Sequence, residues 1–148
     1  MIDNDEVVDV LKNLIETTKD GIEGFNECAE KAKKPELKSA FTRAASRCQE
    51  GLGELKYAVR EFGGDPDEDG SLLASLHRGW LELRTAVSSN DDKVILQECQ
   101  RGEENAIKNY REALDKDLPL EIRTMVERQL VGVKLNHDQI CALNENVA

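Results

Sequence analysis

At 148 residues and a formal net charge of -10, the chain is the size of one domain and can bury a core without disulfides or a structural metal. Its acidic balance excludes the Lys/Arg surplus that drives binding to nucleic acid or an anionic membrane through counterion release. Charged residues make up 34%, aromatics only 4%, and proline occurs three times, a composition that favours long helices over strands.

No apolar run approaches the roughly 20 residues of a membrane span. The opening MIDNDEVVDV is acidic where a secretory signal would be basic, so a cytoplasmic location is expected. Cys28, Cys48, Cys99 and Cys141 are widely spaced and form no C-x-x-C motif. Each falls near a helical apolar stripe, so they read as small buried hydrophobes with no disulfide required.

In chain order, the first helix is expected over about 3–33. Asp3 and Glu6 are spaced as a capping box, and Leu11, Ile15, Thr18, Ile22, Phe25 and Ala29 recur at three-to-four spacing. Lys31, Lys33 and Lys34 suit its C-terminus, and Pro35 suits the first turn of a second helix over about 35–63. The stripe of that helix runs Leu37, Phe41, Ala44, Cys48, Leu52, Leu55, Val59 and Phe62, and it stops at Gly63-Gly64. After an acidic loop, Ser71 caps an expected third helix over about 71–88, carrying Leu72, Leu76, Trp80, Leu83 and Val87. At about 1.5 Å per residue this segment is long enough, roughly 27 Å, to traverse a bundle. Asn90 is expected to cap a fourth helix over about 91–116, and Pro119 to open a fifth over about 119–145 with Ile122, Val126, Leu130, Val133, His137 and Ile140 as its stripe.

Two tight hairpins joined by a bundle-length helix give the order up, down, crossover, down, up. The expected fold is therefore all-α: one ferritin-like four-helix bundle over residues 1–148, with a helical crossover between the second and third bundle helices.

Ionisable residues interrupt two of the stripes. The fourth segment reads Leu96, Cys99, Glu103, Ala106, Tyr110 and Leu114, and the fifth places His137 between Val133 and Ile140. Counting back from the two hairpins sets Glu23, Glu103 and His137 within about one helical turn of one another, about 5 Å of rise. Glu50 lies near the same height. Carboxylates and imidazole suit Fe(II) or Mn(II), and a bundle core can hold two such ions with one Glu from each of two helices and Glu-x-x-His from each of the others. Here Lys134 stands three before His137 and Gly53 three after Glu50, so neither Glu-x-x-His is complete. Three readings follow: a buried Glu103–His137 pair that serves packing, a mononuclear or degenerate metal site at Glu23, Glu50, Glu103 and His137, or a di-iron oxidase site. His77 falls on the crossover, outside this set.

The segments DGIEGF (20–25), GSLLASLHRGW (70–80), RGEENAIKNYREAL (101–114) and HDQI (137–140) resemble a bacterial family of ferritin-like four-helix-bundle proteins, a domain of unknown function related in fold to the rubrerythrin group. The resemblance covers essentially the whole chain and places Glu23, Glu103 and His137 at the family's motif positions. It implies an association with stress proteins and no assigned activity. The family sets polar or acidic residues around the middle of the second helix, where this chain has Ser46, Arg47 and Cys48, a departure that counts against a metal site. The expected function is non-catalytic, through oligomerisation as a homodimer or through a protein partner. Iron or manganese handling is the alternative. A third possibility, an apolar ligand held between the helices, requires a cavity.

Overall fold

The computed structural model describes residues 2–68 and 91–147. Four helices are present among them, and no strand: α1 (Asn4–Lys31), α2 (Pro35–Glu61), α3 (Asp92–Leu114) and α4 (Leu120–Val147). The helix expected over 71–88, with Trp80 and His77, lies outside the described residues.

The helix ends follow from local chemistry. The Asp3 carboxylate accepts the Glu6 N–H at 2.9 Å, satisfying one of the donors that a helix start leaves open. Pro35 occupies the first turn of α2. At the other end of that helix Gly63 takes φ +85°, and the Gly64 N–H returns to Val59 O at 2.9 Å while the Gly63 N–H returns to Arg60 O at 3.1 Å. This is a Schellman closure, whose left-handed residue favours glycine. A Cβ on Gly64 would lie 2.7 Å from Val8 Cγ1, so α2 finishes packed against the start of α1. The cap of α3 is Asp91, accepting the Lys93 N–H at 3.0 Å, one residue later than the expected Asn90.

Long-range bonds fix the helix directions. Asp92 accepts the backbone N–H groups of Lys33 and Lys34 at 2.8 and 3.2 Å, tying the start of α3 to the α1–α2 turn. At the opposite end the Ile2 N–H reaches Asp117 O at 3.2 Å. So α1 and α3 are antiparallel, as are the α1–α2 and α3–α4 hairpins. Contacts from Glu54 to Arg128 and from Arg47 to Asn136 make α2 and α4 antiparallel too. Consequently α2 finishes at the end of the bundle where α1 starts, while α3 starts at the end where α1 finishes. No described helix is long and apolar enough to cross a membrane.

The core divides into two apolar clusters. One, toward the start of α1, joins Leu11, Leu14, Leu55, Val59, Ile122 and Val126. The other, toward the α1–α2 turn, joins Phe25, Leu37, Phe41, Ile95, Leu96 and Ile140. Cys28 and Cys99 are fully buried in the second cluster, and none of the four cysteines forms a disulfide.

Candidate functional site: a pocket in the polar midsection

Between the two clusters lies a polar layer. Thr17 and Thr18 are buried on α1, and their hydroxyls donate back to Asn13 O at 2.9 Å and Leu14 O at 2.7 Å. That arrangement satisfies two hydroxyls that burial would otherwise penalise. Opposite them, α3 presents Glu103, only 2% exposed.

The Glu103 carboxylate is held from two sides. Asn136 Nδ2 of α4 donates to Oε2 at 2.6 Å, and the Cys99 thiol lies 3.8 Å from Oε1. The Arg47 guanidinium at the surface of α2 donates in turn to Asn136 Oδ1, so the amide is fixed with its nitrogen toward the acid. Burial pushes Glu103 up to about 7, against the opposing pull of the Asn136 and Cys99 hydrogen bonds and the Arg47 charge. A second strut crosses the bundle nearer the start of α1. Tyr110 donates to Gln129 Oε1 at 2.8 Å, and Gln129 Nε2 donates to Gly51 O at 3.3 Å and Glu54 Oε1 at 3.2 Å.

A cavity of about 230 Å³ occupies the space bounded by these struts. Its floor is α1 and α3, through Gly21, Phe25, Glu103, Ala106 and Tyr110; α2 and α4 line its other sides. Several lining positions carry little or no side chain: Gly21, Ala44, Gly51, Ala106 and Gly132. A Cβ on Gly132 would meet nothing within 4 Å. The void therefore arises where all four helices present small residues at one level.

The site residues expected from sequence are distributed unevenly. Glu103 and Glu50 line this cavity, Glu103 deep and Glu50 on the exposed face of α2. Glu23 is exposed on α1. His137 is half-buried, with Nε2 3.8 Å from Glu104 Oε2 and the Cys141 sulfur also at 3.8 Å. The expected Glu103–His137 pair is thus replaced by Glu103–Asn136. The reason is a one-residue choice of face: Val133–Asn136–Ile140 is as good a three-to-four stripe as Val133–His137–Ile140, and the buried member is Asn136. Among the described residues, no group of three or more His, Cys, Asp or Glu is placed to hold a metal ion.

Two further pocket groups carry ionisable protons. Burial pushes the Cys48 thiol and the Tyr110 phenol each up to about 12, so both stay protonated at neutral pH and neither supplies an anionic nucleophile. Sequence reasoning did not single out Asn136 or Gln129. Their only signal is polar residues bordering the stripe of α4, which solvated positions also show.

The described residues form four helices with a polar-lined pocket between them. The chain belongs to the family described as Domain of unknown function (DUF2383), whose profile matches residues 6–116. No curated protein matches the chain significantly.

Proposed function

We propose that this protein is a non-catalytic, ferritin-like helical bundle that binds a small organic molecule in the midsection pocket. The observation that carries the reading is the cavity of about 230 Å³ whose described lining residues include one deeply buried carboxyl, Glu103, pre-oriented by Asn136. An apolar engineered cavity of about 150 Å³ already admits benzene, so a ring with one or two polar substituents fits. Ligand sites of this kind combine apolar walls with a few placed polar groups and occur between the helices of bundles. Protonated Cys48 and Tyr110 support a binding rather than a catalytic role. The opposite placement of the end of α2 and the start of α3 supports the one-crossover topology, the acidic opening MIDNDEVVDV supports a cytoplasmic location, and the family resemblance supports a role in stress physiology. Titration with benzyl alcohol, followed by amide NMR, tests the reading. Shifts confined to pocket positions such as Phe25, Tyr110 and Val133 are expected, and their absence at millimolar concentration both with this probe and with its charged amine and acid analogues would overturn it.

Iron or manganese binding is the second reading, favoured by Glu50 and Glu103 lining one cavity, with Glu23 and His137 as the remaining candidates. Metal analysis of protein from supplemented cells tests it; stoichiometric metal supports it, and its absence refutes it.

A further inference from the structure

The pocket's charges indicate what chemistry its occupant has. Its lining carries three acids, Glu50, Glu54 and Glu103, and two bases, Arg47 and Arg128. Arg128 is already bound to Glu54, with contacts of 3.2 and 2.5 Å. Arg47 is exposed on α2 and directed to Asn136. Among the described residues, the Glu103 carboxylate is therefore the one deeply buried charge of the lining, and no buried cation of these residues faces it.

An ionised carboxylate has about four acceptor sites. Asn136 and Cys99 use two of them, which leaves capacity for a donor entering the pocket. The walls beside it are apolar or aromatic: Phe25, Ala44, Ala106, Val133 and the ring of Tyr110. Aromatic faces attract cations, and the net charge of -10 raises the local concentration of cations around the whole molecule. An anionic ligand would meet Glu103 as a like charge, and a purely apolar one would leave the carboxylate desolvated without a new partner. An inorganic cation would need more ligands than the described residues gather.

We infer that the ligand is a small organic cation, a protonated amine on an apolar or aromatic body, seated with its ammonium group against the Glu103 carboxylate. This rests on the reading of the midsection pocket as a ligand site and names that site's substrate class. The carboxyl and its surroundings also set the pH response. Cys99 and Glu104 flank Glu103 on its own helix, Arg47 and Cys48 face it from α2, Cys28 of α1 lies beside Cys99, and α4 presents the uncharged Asn136. Glu103 changes charge near neutrality, at about 7.

The test uses the full chain and three probes of one shape: benzylammonium, benzyl alcohol and benzoate, titrated by NMR at pH 8.5 and pH 5.5 and against Glu103→Gln. A charge-assisted hydrogen bond predicts that benzylammonium binds about tenfold or more tighter than benzyl alcohol at pH 8.5. That preference should vanish at pH 5.5, where Glu103 is protonated, and in Glu103→Gln at either pH. Benzoate should be the weakest of the three at pH 8.5. Equal binding of benzylammonium and benzyl alcohol at pH 8.5 would overturn the inference while leaving the pocket reading intact, and so would tightest binding of benzoate. If none of the three binds, the pocket reading itself falls and the inference with it. The pH comparison on the unmodified chain keeps the test decisive even if Glu103→Gln fails to fold.

Discussion

The ends of the bundle and its midsection are built from the same helices but by different rules. At both ends, large side chains such as Leu11, Leu55, Phe41 and Leu96 meet at one level and are sealed from solvent. In the midsection the facing positions are Gly21, Ala44, Ala106 and Gly132, with Glu103, Asn136, Tyr110 and Gln129 bridging what remains. Helical periodicity alone does not separate these regions, since all lie on inward faces. The size of the residue at each level does. A dry core needs large residues from opposite helices at matching heights; small ones at matching heights leave a void, and polar residues can remain there because they bond one another across it.

The sharpest contrast comes from deleting volume. Phe41→Ala, in the cluster beside the α1–α2 turn, should cost about 3–5 kcal/mol because a fully buried ring is removed and its cavity does not collapse. Val133→Ala, which enlarges a void already present, should cost much less. Urea unfolding of both variants checks this, and equal losses would erase the distinction between end and middle.

Next in size is the pH response of the midsection. Glu103 is raised from an ordinary 4.5 to about 7 in the folded chain, so between those values the folded state binds more protons than the unfolded one. Its contribution is greatest below about 4.5 and is lost as pH rises through about 7. Roughly 3 kcal/mol of stability should disappear over that window relative to Glu103→Gln, which does not titrate. Unfolding free energies of both proteins at pH 5, 6, 7 and 8 give the difference directly, and a flat difference would contradict the burial of a titrating acid.

A smaller effect is expected from Asn136→Ala. It removes the donor to Glu103 Oε2 and strands a buried acceptor, at about 1–3 kcal/mol near pH 8. Because that hydrogen bond favours the ionised form, the Glu103 titration should move above about 7, measurable from its side-chain carboxyl carbon. An unmoved titration would mean that Asn136 merely fills space. Smallest of all, Gly132→Ala adds a methyl that meets nothing within 4 Å, and removing a glycine from a helix should raise stability by about 0.5–1 kcal/mol. A loss on thermal melting would show that the cavity wall there is tighter than its geometry.

Much of this was legible in the residues. Asp3, Pro35, Gly63 and Pro119 mark helix ends within a residue or two, because capping and the conformational limits of proline and glycine act over a single turn. Glu103 stood out because a carboxylate at a stripe position must be buried if the helix packs as its neighbours imply. The choice between Asn136 and His137 was not legible: a stripe residue and its chain neighbour differ by one rotation step of the helix, and only packing against α2 and α3 selects between them. Nor could the heights of Glu23 and Glu50 reveal that both sit on exposed faces, since level along a bundle says nothing of direction around a helix.

What the sequence by itself determined is therefore the local structure: the helical character of the described residues, four of the helix spans, the Asp3 cap, and a buried acid in α3, all fixed by interactions a few residues apart. What the tertiary structure decided is the midsection. The partner of Glu103, the strut from Tyr110 through Gln129 to α2, and the void among Gly21, Ala44, Ala106 and Gly132 each depend on residues far apart in the chain meeting at one height and one rotation. No local rule encodes that coincidence, because it is set by how four helices pack together.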